Sequence, residues 1–113
     1  MFSTSEIIER AADLWEIRPA DLLGKSRARH VVRARQAAAW ALRECTDLSL
    51  VEIGKLLKRD HTTVMYALET IAREIREDHS LRDRVHRLSR VAMGVQLERR
   101  DPAVDRWLRE AGI

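Results

Sequence analysis

The sequence predicts an all-α protein, a small helical domain built around a central helix-turn-helix. Only four glycines and two prolines interrupt 113 residues, and alternating β-branched runs are missing, so little in the chain favours strands. Between those breakers, apolar residues recur at three- and four-residue spacing, the period of a helix with one buried face. Two Ser-x-x-Glu boxes and several Asp or Ser residues stand where helices would start, each able to accept from a backbone N–H that the first turn leaves unpaired.

The first box, Ser3-x-x-Glu6, opens a helix from about Ser5 to Glu16, with Ile7, Ile8, Ala11, Leu14 and Trp15 facing inward. Pro19 suits the first position of a short helix, and Gly24 follows Leu23 as its stop. Lys25 to His30, KSRARH, has no core pattern and reads as a basic loop or arm. From about Val31 to Cys45 an alanine-rich run has high helix propensity. Ala34, Ala37, Ala38, Ala41, Leu42 and Cys45 form its apolar face, and small residues there let other helices approach closely. Arg29, Arg33, Gln36, Trp40 and Arg43 make a second stripe. That stripe suits either a helix lying on a phosphate backbone or a solvated face, with Trp40 packing at the core edge.

Ser49 to Ala67, SLVEIGKLLKRDHTTVMYA, is the centre of the chain. Ser49-x-x-Glu52 caps a helix with Ile53, Leu56 and Leu57 on one face. Asp60 caps a second, where Val64, Leu68, Ile71 and Ile75 form the core stripe. His61, Thr62 and Met65 lie off that stripe at the exposed end, the geometry of a recognition helix. The helix-turn-helix spans residues 49–76. Ser80 then caps a helix to about Met93 with Leu81, Val85 and Leu88 inward, residues 94–100 read as a linker, and Asp101-Pro102 starts a last helix around Trp107. This divides the chain into a domain over 1–93 and a tail over 94–113.

The net charge of +3 is unevenly spread. Residues 24–43 hold six basic and no acidic side chains, whereas residues 44–79 hold five basic and eight acidic. A basic excess next to a helix-turn-helix points to an anionic partner. No apolar run is long enough to span a bilayer and the N-terminus lacks a signal-peptide pattern, so a cytoplasmic, nucleoid-associated protein with no membrane partner is expected. Cys45, the single cysteine, lies on an apolar face and reads as a small buried residue.

Asp60 and His61 are the usual parts of an acid-base or metal site, but adjacent helical residues diverge by about 100 degrees and do not converge on one ion. His30, His79 and His86 have no ligand-like spacing. GxxxxGK[ST], GxGxxG and nucleophile motifs are absent. No catalytic residue, cofactor, metal or nucleotide is therefore expected. As base readers the same residues make chemical sense. Asp60 can accept from the exocyclic amine of cytosine, while the His61 ring and the Thr62 methyl can meet thymine methyls or base edges. Thr63 can bond a phosphate near the helix N-terminus. Asp60 and Thr63 serve equally well as an ordinary cap, and both roles can hold together.

From about Ile7 to Ala92 the chain resembles the C-terminal DNA-binding domain of the bacterial replication initiator family DnaA. The resemblance rests on ADLLGKSRAR (Ala20 to Arg29), the RxRQ of Arg33 to Gln36, LRECTDLSLVEIG (Leu42 to Gly54) and above all RDHTTV (Arg59 to Val64). It implies an all-helical, Trp-repressor-like fold that recognises the short, asymmetric DnaA box in duplex DNA. By position, Arg27 would enter the minor groove and Asp60, His61 and Thr62 would read bases in the major groove. Arg35, Gln36, Arg43, Thr46, Thr63 and the backbone amides of Leu50 and Val51 would hold phosphates, with Lys58 and Arg59 counted beside them.

The chain departs from the family in three ways. The turn Leu57-Lys58-Arg59 is one residue shorter than usual and lacks a glycine, which puts Lys58 in a left-handed position. Ala34 and Val51 replace prolines. No ATPase module accompanies the domain, and a tail follows Met93, so a free-standing regulator of replication or transcription is expected rather than the initiator. The alternatives are a helical adaptor that binds a protein partner or itself through the tail around Trp107, and a dimeric repressor with a diverged site.

Overall fold

A computed structural model describes the backbone of residues 4–97 and the side chains of residues 4–90. Among the described residues there are six helices and no strand: α1 (Thr4–Leu14), α2 (Pro19–Leu23), α3 (Arg29–Cys45), α4 (Leu50–Leu57), α5 (His61–Glu77) and α6 (His79–Leu97). Ser3 and the final helix around Trp107 lie outside the described residues.

The alanine run sets the architecture. Ala34, Ala37, Ala38, Ala39 and Ala41 are each 0% exposed, as is Leu42, so α3 is buried around most of its circumference and packs on every other helix. Methyl side chains make this possible, since a helix with bulky residues on three sides would hold its neighbours off. Into the space around it come Ile7 and Ile8 of α1, Leu22 of α2, Ile53 and Leu57 of α4, Val64 and Ile71 of α5, and Leu81, Val85 and Leu88 of α6. Full burial of one such side chain contributes about 1.5–3 kcal/mol. Trp40 is half-buried against this core and Cys45 is buried in it, as the sequence pattern predicts.

Several boundaries differ from the sequence expectation for local reasons. Helix α1 stops at Leu14 because Glu16 takes a left-handed φ of 57°, with Glu16 N–H donating to Asp13 O at 3.1 Å and Ile17 N–H to Ala12 O at 2.9 Å. This is a Schellman ending. Arg29 and His30 belong to α3, which leaves only residues 25–28 as the basic loop. Asp78, not Ser80, caps α6: its Oδ1 accepts from Leu81 N–H at 3.0 Å, while its own N–H donates to Glu74 O at 2.9 Å and so closes α5. One residue thus joins two helices. Helix α6 runs through Gly94 to Leu97, past the end expected at Met93.

Candidate nucleic-acid interface

The turn between α4 and α5 is built from three backbone features. Lys58 sits at φ 57° and ψ 43°, the left-handed conformation predicted from the shortened turn. Lys58 N–H donates to Lys55 O at 3.4 Å and Arg59 N–H to Gly54 O at 2.8 Å, again a Schellman ending. Gly54 allows that approach: a Cβ there would lie 2.4 Å from Arg59 O.

Asp60 then caps α5 by accepting from Thr63 N–H at 2.9 Å. The Thr63 amide, helped by the Thr62 amide and His61, holds the Asp60 carboxyl below its ordinary pKa, so at neutral pH the group is an acceptor only. Asp60, His61, Thr62 and Thr63 are all exposed on the first turn, while Val64 beside them is buried. Met65 and Tyr66 extend this face, at 41% and 63% exposed, and Tyr66 belongs to the group although the sequence reading did not single it out. The usable signal was its spacing, one turn beyond Thr62 on the same side. Thr70 continues that line.

At the start of α4 the box forms as expected: Ser49 Oγ accepts from Glu52 N–H at 3.1 Å and Glu52 Oε1 from Ser49 N–H at 3.2 Å. The Leu50 and Val51 amides are the other donors of this first turn, and Val51 is half-exposed. They are well placed for an anion.

The basic loop completes this side of the molecule. A groove of about 420 Å³ has Arg27, Arg29 and Gln36 on one wall and Thr70 and Glu74 of α5 on the other. Arg27 therefore faces Thr70 and Glu74, in the middle and last part of α5, across one groove. An ion pair between Arg33 and Glu74 ties α3 to α5 beneath it, and Arg33 Nη1 also donates to Gln36 Oε1 at 3.5 Å.

Three residues expected as phosphate ligands make hydrogen bonds within the protein. Arg35 donates from Nε to Leu22 O at 2.8 Å and from Nη2 to Gly24 O at 3.2 Å and Ser26 O at 3.3 Å. Arg59 donates from Nη1 to Lys58 O at 3.0 Å and Leu57 O at 3.3 Å, and from Nη2 to the same Gly24 carbonyl. Burial, and then the neighbouring Arg59 charge, lower the pKa of Arg35. The Thr46 hydroxyl donates back to Leu42 O and accepts from Leu48 N–H at 3.2 Å. Arg43 is exposed but reaches Leu48 O at 3.2 Å, so it and Thr46 brace the connection into α4. The physical reason is common to all of them: helix ends and tight loops leave carbonyls without partners, and nearby donors satisfy them.

Within the described residues, no helix is long and apolar enough to cross a membrane. The family described as the bacterial DnaA protein helix-turn-helix matches residues 4–71 of the chain. Among similar proteins, a chromosomal replication initiator protein DnaA from Chloroflexus aurantiacus is 48% identical over 84 residues, covering 74% of this chain and 18% of that protein. The protein of the same name from Aromatoleum aromaticum is 43% identical over 93 residues, 80% of this chain and 19% of its own length. That from Limosilactobacillus reuteri is 38% identical over 87 residues, covering 76% and 20%. The chain thus spans about a fifth of the length of the curated relatives it matches.

Proposed function

The chain belongs to the bacterial DnaA helix-turn-helix family, and from that premise we propose that it binds duplex DNA at DnaA-box-like sites and regulates replication initiation or transcription by occupying them. The reading is non-enzymatic. The observation that carries it is an exposed first turn of α5, Asp60 to Thr63, on the same helix whose Thr70 and Glu74 face Arg27 of the basic loop across one groove. An acceptor-only carboxylate at Asp60 suits the amine of cytosine, and His61, Thr62 and Tyr66 offer ring and methyl surface for thymine. Arg27, on a loop of four residues, is the side chain for the minor groove. The Leu50 and Val51 amides, Thr63, Lys58, Gln36 and Arg43 are the proposed backbone contacts. Arg35, Arg59 and Thr46 hold the surfaces that make them.

Fluorescence anisotropy on a box-containing duplex and a scrambled one, across a salt series, tests the proposal. With about five phosphates neutralised, log affinity falls with log salt at a slope of about −4 to −5 on the specific site. Arg27→Ala and His61→Ala each cost about 1–3 kcal/mol on that site. Equal affinity for the two duplexes would remove the sequence-specific reading.

A further inference from the structure

We propose that Arg59 and Arg35 act as a clamp that fixes the basic loop against the start of α5, coupling the side chain of Arg27 to the recognition turn. The inference rests on the DNA-binding reading above and gives these two arginines a positioning role in it.

The clamp is a continuous chain of bonds. Arg59 is held at its backbone by the bond from its N–H to Gly54 O at 2.8 Å, so its Cα is rigid relative to α4. Its Nη1 closes on the turn carbonyls of Leu57 and Lys58, which aims Nη2 at Gly24 O across 35 residues of sequence. From the other side, Arg35 is fixed within α3 and takes the carbonyls of Leu22, Gly24 and Ser26. The Gly24 carbonyl is shared by both guanidiniums. The carbonyls of residues 22, 24 and 26 therefore thread through two planar forks, and Arg27 is the next residue along.

This use of arginine is specific to its geometry. A planar guanidinium bonds two or three acceptors at fixed angles, whereas an ammonium is a single point charge on a flexible stem. Gly24 lies close against the preceding turn: a Cβ there would stand 3.0 Å from Ala20 O. Residues 25–28 have no helix of their own, and a short loop of this kind would otherwise sample many orientations. With the clamp, the cost of ordering it falls on folding and not on binding DNA.

A phosphate-ligand role and a clamp role predict opposite outcomes for Arg59. Two variants, Arg59→Ala and Arg59→Lys, are compared in the full chain, the second keeping the charge and the reach but not the fork. In ¹⁵N relaxation of the unbound protein, backbone order parameters at residues 25–28 are expected to fall below about 0.6 in both variants while those of α3 and α5 stay near about 0.85. Unchanged loop order would overturn the clamp. On the specific duplex, each variant is expected to lose about tenfold in affinity with an unaltered salt slope, and to lose almost nothing further in an Arg27→Ala background. A salt slope reduced by about 1 in Arg59→Ala, or a loss that persists without Arg27, would overturn it in favour of a direct phosphate contact. If the wild-type chain fails to discriminate the duplexes, the DNA reading falls and loop order alone decides the clamp.

Discussion

Lys58 shows how one residue can carry both the weakness and the identity of a turn. Its left-handed backbone places Cβ against the following carbonyl, a conformation glycine adopts without that clash. Lys58→Gly is therefore expected to raise stability by about 1 kcal/mol, read as a higher urea midpoint at unchanged slope. Asp60 carries two jobs that substitution separates. Asn caps a helix as well as Asp does, so Asp60→Asn should keep the fold while losing the carboxylate acceptor, and a base-substituted duplex series would show relaxed preference at one position. The pH response follows from the lowered carboxyl pKa. A group whose pKa is depressed in the folded state contributes stability that is present above its unfolded value and lost as pH falls through the folded one. Wild type should accordingly lose stability relative to Asp60→Asn in urea titrations as the pH falls below about 4, because only the carboxylate titrates.

At the scale of elements, the helix-turn-helix depends on how closely α4 meets the turn that follows it. Gly54 has Arg59 O where a side chain would begin, at 2.4 Å, and a backbone atom cannot rotate away. Gly54→Ala is expected to cost about 1–3 kcal/mol by thermal or denaturant unfolding. It should also weaken DNA binding, because the same carbonyl-to-amide approach sets where Arg59 and α5 start. The connection between α5 and α6 is equally tight, with Asp78 ending one helix and capping the next. Here local spacing favoured Ser80 on residue type alone, and only the observed bonds distinguish two polar residues two positions apart.

Across the whole molecule, a single alanine-rich helix serves as the hub. Cys45 lies at its C-terminal end, buried near the Ser89 carbonyl of α6 at 3.9 Å, and burial pushes its thiol up to about 11. Its reaction with a disulfide reagent at pH 8 should therefore be slow in the folded protein and fast in urea, with native reactivity tracking opening of the α3–α6 contact. The contribution runs in the direction opposite to Asp60. A raised folded pKa gives stability that is full below the unfolded value near 9 and is lost as pH rises through about 11.

Much of this was legible along the chain, because its signals are local. Periodicity exposed the core faces of α1, α3, α4, α5 and α6, since a helix repeats its inward face every three to four residues whatever it packs on. The Ser49 box, the Asp60 cap and the strained Lys58 followed from residue types at fixed short offsets, and the RDHTTV stretch carried the family. Tertiary structure alone revealed the long-range partners of the arginines. Arg35 and Arg59 stand 24 residues apart in the sequence, and nothing local distinguishes an arginine aimed at solvent from one aimed at the Gly24 carbonyl. Long flexible cations go where unpaired backbone acceptors lie within reach, and that distance exists only once the helices have packed.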